Sequence, residues 1–266
     1  MATIAVRLRT ADQQDRFFGH LAIAMALTVV VGFSTQLIAG RSSFHVRPLI
    51  HLHAVAFMGW VMLFTIQAQI GVRGATPSLH RRLGWIGAGW AVALVLLGCA
   101  LTVDVTRRAN VPFFFHPQIF LIANPATVFA FFGFTVAAIR MRRRTDWHRR
   151  LHLCGMTMIM GPALGRLLPL PFLTPWAFEW GSGSPAVFLL AGMVHDRRRL
   201  GRVHPAWLWG AAVLAAVLVG ARLIAFSPAG DAIYRAVTAD APGAAVPGRL
   251  LGSPPSGLRG PAQAAI

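Results

Sequence analysis

The sequence predicts an all-α fold: a polytopic membrane protein of about seven transmembrane helices arranged around a central four-helix bundle. The composition is the first reason, because 56% of the 266 residues are hydrophobic, only 12% are charged and the mean hydropathy is +0.60. Windows of about 20 residues with almost no charge also recur, each long enough to cross roughly 30 Å of hydrocarbon. Finally, the tetrad His-Arg-Arg-Leu occurs twice, beginning at His80 and at His148.

The strongly basic balance does not indicate a nucleic-acid partner. The formal net charge is +17 and all 25 basic residues are arginines. Most of them flank apolar spans, where arginines act as topology signals. The predicted partner is therefore the lipid bilayer, and the sequence leaves protein partners undetermined. Cys99 and Cys154 lie in different predicted spans, so both are predicted to be free thiols.

The chain divides into a cytoplasmic N-terminal segment (1–16), a seven-helix transmembrane domain (17–226) and a C-terminal tail (227–266). The tail is rich in Ala, Pro and Gly, a composition typical of disorder. The first span is too long for a signal-peptide core, so it is predicted to remain as helix 1. The seven helices are predicted at Phe17–Ala39, Leu49–Gly71, His80–Val103, Pro117–Ile139, Arg149–Leu168, Trp176–Val194 and Pro205–Phe226.

The two tetrads suggest a repeat. Each tetrad lies near the start of one span, and the span before it begins near a histidine. Repeated units of this kind usually stack as equivalent structural pieces. Short connections make sequential helices antiparallel neighbours. Helices 2–3 and 4–5 are therefore predicted to form two hairpins that pair into the central bundle, with helices 1, 6 and 7 around it.

Arginine placement predicts the orientation. The N-terminus and the turns after helices 2, 4 and 6 are rich in arginine, whereas the alternate loops hold only Arg41, Arg47, Arg107 and Arg108. The arginine-rich side is expected to be cytoplasmic. Seven spans then place the N-terminus inside and the C-terminus outside.

Near the outer face, His51 and His53 are about 200° apart on one helix, so only one can face the bundle. The face of His53 continues through an aromatic stripe, which favours His53 as the inward residue. His116 opens helix 4 at the same level. Arg166, near the outer end of helix 5, is expected to pair with Asp104 or, alternatively, to hold an anionic group beside these histidines.

Near the inner face, His148 and His152 are four residues apart and share one face of helix 5. A ligand held by His152 would need a partner from helix 3. Gly84 occupies the matching turn there, and His80 lies at the helix start. His80 and His152 are therefore weaker candidates for cofactor binding than the outer group.

A set of short motifs is spread along the spans: His51-Leu52-His53 with Trp60 and Gln67, Leu79 to Gly84, His148 to Leu151, Gly161-Pro162-Ala163 with Arg166-Leu167, and Gly201 to Pro205 with Trp209-Gly210. Together they resemble an uncharacterised family of bacterial multi-pass membrane proteins, which implies the bacterial inner membrane as the location. The likeness covers about residues 17–226. The arrangement of histidines in two layers is also distantly similar to cytochrome b561-type and haem A synthase-type four-helix bundles.

The second resemblance implies that histidines from alternate helices ligate b-type haem. His53 and His116 would then be the axial ligands, with Arg166 holding a propionate, in a membrane redox or haem-handling protein. Three alternatives remain open. They are a small-solute carrier or channel, a structural or assembly subunit without a cofactor, and a divalent-metal site at the outer face from His45, His51 or His53 together with His116, since imidazole suits Zn or Cu.

Overall fold

The computed structural model describes residues 2–73 and 76–253, with side chains from Arg16 onward apart from that of Arg73. Every regular element in these residues is helical. The helices are α1 Ala2–Ile38, α2 Pro48–Arg73, α3 Pro77–Arg107, α4 Pro117–Arg140, α5 Thr145–Met158, α6 Gly161–Gly165, α7 Ala177–Gly183, α8 Ala186–Leu200, α9 Pro205–Ala225 and α10 Pro228–Thr238. Short 3-10 turns occur at Leu170–Leu173 and Pro242–Ala245.

Within the described residues, five helices are long and apolar enough to cross a membrane. They correspond to predicted helices 1–4 and 7, and their apolar segments are Arg16–Ile38, Pro48–Val72, Pro77–Arg107, Pro117–Arg140 and Pro205–Ala225. The segment 2–16, predicted as a separate N-terminal region, continues the first helix instead. The all-α fold is confirmed, and five apolar helices are compatible with a membrane protein.

Predicted helices 5 and 6 are both interrupted. The first breaks between α5 and α6 because Pro162 has no N–H to donate to the carbonyl of Met158. The second breaks between α7 and α8 at Ser184 and Pro185. The two interrupted segments are neighbours, because a Cβ at Gly161 would lie 3.2 Å from the Cα of Ser182.

The packing centres on α4 and α5. Helix α2 packs on α3, α3 on α4, and α4 on α5, as expected for sequential neighbours. Eight of the nine residues from 150 to 158 in α5 are buried, and one of them is an arginine, Arg150. Helix α5 therefore runs through the protein interior rather than along its lipid-facing surface.

The last long helix is more central than the sequence predicts. Helix α9 packs against both α4 and α5 rather than lying outside the bundle. Gly210 permits this approach, because a Cβ there would lie only 2.7 Å from the Cys154 sulfur. Both cysteines are free, as predicted, and Cys154 is buried.

The C-terminal segment up to residue 253 is ordered helix and turn where the sequence predicts disorder. Helix α10 packs against α3, α4 and α9, and it buries Tyr234 and Thr238. Its start has a recognisable signal: the Ser227 hydroxyl accepts from the amide of Gly230, and Pro228 follows at the first helical position. Composition alone missed this cap. The rest of the predicted tail lies outside the described residues.

Candidate functional site

The arginine-rich turns meet at one end of the helices, here called the arginine-rich face. The ring centroids of His80 and His148, one from each tetrad, are 6.2 Å apart. His204, before α9, approaches Asp146 with its Nε2 3.2 Å from a carboxylate oxygen. Burial lowers the pKa of His204, and the hydrogen bond to Asp146 opposes that shift. The two tetrads and the start of α9 are thus assembled at one face.

Three histidines form a contiguous group at this face, which we call the inner histidine cluster: His80, His148 and His152. The rings of His148 and His152 meet edge to face with centroids 4.7 Å apart. The Nδ1 of His148 is 2.7 Å from the carbonyl of Ala138, which fixes the orientation of the ring. Sequence reasoning placed His152 and His80 in different turns, and His148 is the residue that links them.

Gln67 extends this cluster across to α2. Its amide nitrogen donates to the backbone carbonyl of His80 at 3.0 Å. Gly84 lies in the turn of α3 from which a ligand partner for His152 was required. Its lack of a side chain makes room for Gln67, because a Cβ at Gly84 would lie 3.3 Å from the Gln67 amide nitrogen. The Nδ1 of His80 and the Oε1 of Gln67 are buried without a hydrogen-bond partner.

The arrangement is not a formed metal site. In the part of the chain that the structure describes, no group of three or more His, Cys, Asp or Glu side chains is placed to hold a metal ion. As it stands, the inner cluster offers imidazole rings that can donate or accept hydrogen bonds and an amide oxygen that can accept them.

The second tetrad contains a residue that sequence reasoning missed. Arg150 makes a two-pronged ion pair with Asp196 of α8, with N···O distances of 2.8 and 2.6 Å. The indole of Trp207 in α9 donates to the same carboxylate at 2.8 Å. Arg150 and Asp196 are 1% and 0% exposed, so this pair ties three helices together in the interior. The equivalent residue of the first tetrad, Arg82, is exposed.

At the opposite face, His53 takes the predicted orientation. It is half-buried while His51 is exposed, and Trp60 on the same stripe is buried. The His53 ring stacks on Phe57 with centroids 4.2 Å apart. The backbone of Leu97 is a hydrogen-bond partner of this ring, and its Nδ1 is buried without one.

Arg166 lies near His53, but it does not pair with the predicted aspartate. Asp104 is held by Arg47 and by Arg108, whose Nε is 2.9 Å from the carboxylate. Among the described residues, Arg166 has no carboxylate partner. Its guanidinium donates to the carbonyl of Pro162 at 2.7 Å and lies 4.1 Å from the centre of the Phe33 ring.

His116 has a different set of neighbours from His53. Its ring lies 5.4 Å from that of Phe226, and the charges nearest to it are those of Arg222 and Glu179. These two charges form an ion pair, and the Arg222 guanidinium also lies 3.9 Å above the Trp176 ring. The structure therefore groups His53 with Arg166 and groups His116 with α7 and α9.

The fold defines the class of the protein: an all-helical chain with five apolar helices compatible with a membrane environment. Comparison of the chain with protein-family models, with curated proteins and with solved structures gives no match. The resemblances suggested by the motifs therefore remain predictions.

Proposed function

We propose that this protein is an integral membrane protein that binds a carboxylate-bearing ligand between Arg166 and His53, and that b-type haem is the cofactor to test first. The observation that carries this proposal is the unpaired state of Arg166 among the described residues. The carboxylate expected to neutralise it, that of Asp104, is occupied by two other arginines.

The protein fixes Arg166 in place although it supplies no acid for it. Its backbone carbonyl accepts from Gln36 of α1 at 2.8 Å, and its side chain contacts Phe33 and Pro162. A fixed arginine inside a helical membrane protein marks a ligand site by default, because an uncompensated charge there is costly. A guanidinium recognises carboxylates through two parallel hydrogen bonds.

His53 supplies the second half of the site. Because its ring bonds to the backbone of Leu97, the unpartnered Nδ1 is available to a ligand. An imidazole oriented by a backbone carbonyl is the usual form of a histidine metal ligand. The same nitrogen could alternatively accept a hydrogen bond from an organic ligand.

Haem fits these residues in part. Arg166 would hold a propionate and His53 would be one axial ligand, while His116 lies among other neighbours and is not placed beside His53. When bound, haem would supply one-electron transfer. The residues present support single-histidine attachment better than the bis-histidine arrangement that the resemblance implies. The outer-face metal site is disfavoured similarly, because His51 is exposed.

We also infer that α5–α6 and α7–α8 each cross the membrane as interrupted spans, which gives seven crossings. Helix α4 ends and α9 begins at the arginine-rich face, and between them Arg166 contacts Gln36 at the far end of α1, so the chain leaves that face and returns to it. By the excess of arginine, this face is cytoplasmic, with the N-terminus inside and the C-terminus outside a bacterial inner membrane.

The interrupted spans favour one second candidate, a carrier of small carboxylates. Discontinuous helices packed side by side are typical of transporter substrate sites. Arg166 follows directly after α6, one of these short helices. Transport and haem binding would thus both use the Arg166 guanidinium, and they differ in the ligand that binds to it.

The visible spectrum of the protein purified in detergent, before and after haem titration, tests the proposal. We expect a Soret band that His53→Ala abolishes and that Arg166→Gln weakens. His51→Ala and His116→Ala are the matched controls and should preserve it. Size-exclusion elution shows whether each variant is folded.

A second assay applies if the protein binds no haem. Uptake of carboxylates into proteoliposomes, lost in Arg166→Gln and retained in Arg47→Gln, would assign the site to the carrier. If neither haem binding nor carboxylate uptake changes in Arg166→Gln, the proposed ligand site is wrong, and a structural or assembly role would then be the better explanation.

A further inference from the structure

A surface groove runs along the contact between α4, α5 and α9, away from the candidate ligand site. Its volume is about 420 Å³ and its walls are almost entirely apolar. Small residues of α4 form its floor, and tryptophans of α5 and α9 flank it. The residues that define it are Ala130, Gly133, Ala137, Met141, Trp147 and Trp209.

The length of the groove matches one leaflet. From Ala130 to Met141, the residue after the end of α4, the groove spans eleven residue steps, or roughly 16 Å at 1.5 Å per residue. Half of a bilayer's hydrocarbon core is about 15 Å thick. The groove is therefore the right length for a lipid chain that enters from the arginine-rich face.

The end of the groove at this face is strongly basic. Met141 and Trp147 bracket the α4–α5 turn, in which Arg142, Arg143 and Arg144 are all exposed. Arg144 lies 5.6 Å from the centre of the Trp147 ring. The acid nearest in sequence, Asp146, faces His204 instead.

We infer that this groove binds an anionic phospholipid, with one acyl chain along α4 and the phosphate at the α4–α5 turn. Charge complementarity selects this occupant, because basic pockets between membrane helices on the cytoplasmic side bind anionic headgroups. The tryptophans contribute at the level where indoles prefer to lie, between headgroup and hydrocarbon. A lipid without net charge could occupy the groove, but its headgroup would gain no net attraction from the arginines of the α4–α5 turn.

Two variants separate the chain contact from the headgroup contact. A Cβ at Gly133 would meet nothing within 4 Å, so Gly133→Phe places a bulky side chain in the groove from a position with room for its Cβ. Gly89 of α3 is a helical glycine in similarly open space, and Gly89→Phe is the matched control. Replacement of Arg142, Arg143 and Arg144 by Gln removes the basic turn and leaves the apolar walls intact.

The experiment is native mass spectrometry of the delipidated protein titrated with phosphatidylglycerol or phosphatidylcholine of equal chain length. We expect phosphatidylglycerol to bind about tenfold more tightly, and the triple Gln variant to lose that preference. Gly133→Phe should weaken binding of both lipids, whereas Gly89→Phe should not.

Two results would overturn the inference. Equal binding of the two lipids by the unmodified protein would remove the role of the turn, and equal effects of the two Phe variants would remove the role of the groove. A dimer of the delipidated protein that Gly133→Phe disrupts would also overturn it, because the groove would then hold a second copy of the chain. If Gly133→Phe does not fold, the lipid preference of the triple Gln variant still decides, because its changes are at exposed positions.

Discussion

Arg150→Gln should destabilise the protein severely, whereas Arg82→Gln should not. The two arginines occupy the same position in the two His-Arg-Arg-Leu tetrads, but only Arg150 is buried. The substitution leaves the buried Asp196 carboxylate with one hydrogen-bond donor, the Trp207 indole, in place of three. The pair of variants therefore tests how much burial of the arginine contributes to stability, while the sequence motif stays the same.

The expected magnitude follows from the burial of both partners. Removal of one partner from a buried ion pair costs about 3–5 kcal/mol, because the remaining charge is uncompensated. For a chain of this size that corresponds to a decrease of roughly 6–20 °C in unfolding temperature. Arg82→Gln changes an exposed side chain, so its effect should stay within about 0.5 kcal/mol.

Thermal unfolding in detergent can be followed with a thiol-reactive fluorescent dye in a Cys99→Ser background, in which the remaining thiol, that of Cys154, is buried in the folded protein. A double variant, Arg150→Met with Asp196→Leu, should recover part of the lost stability, because apolar pairs often replace buried ion pairs at little cost. Equal unfolding temperatures for the Arg150 and Arg82 variants would refute the argument that burial, not the tetrad itself, makes Arg150 important.

Three further outcomes are expected. A reporter active only in the cytoplasm, fused after the last residue, should stay silent, and activity would contradict the seven-crossing topology. Hydrogen bonds from Arg249 hold the pKa of Asp231 below its ordinary value, so the charge of Asp231 stabilises the docked α10 at neutral pH. This contribution is lost as the pH falls through that lowered pKa, so opening of residues 228–253, measured by hydrogen exchange, should increase there. The Arg249→Gln variant lacks this interaction at every pH and should show no such increase. Gly192→Ala should lower the unfolding temperature, because its Cβ would lie 2.3 Å from an indole ring, whereas Gly220→Ala, in open space, should not.

The sequence was most informative where one local property decides the structure. Long apolar runs were enough to predict the five long helices, and helical periodicity was enough to choose His53 over His51 as the inward residue. Both properties can be counted along the chain without knowledge of any distant contact.

The sequence was less informative where distant residues decide. The tetrads are identical, yet Arg150 is buried because Asp196 and Trp207 come to it from later helices. Arg166 was expected to pair with Asp104, but two other arginines reach that carboxylate. Composition also concealed α10, whose amphipathic face becomes evident only against α3, α4 and α9.

The interior position of α5 has a consequence for how the chain is made. This helix contains Arg149 and Arg150 and is too polar to partition into lipid by itself, and the acid that neutralises Arg150 lies 46 residues further along the chain. During synthesis, α5 emerges before its counter-ion in α8 exists. We therefore expect α5 to remain beside the insertion machinery until α8 has been made, so that the central helix enters the membrane together with the helices that enclose it.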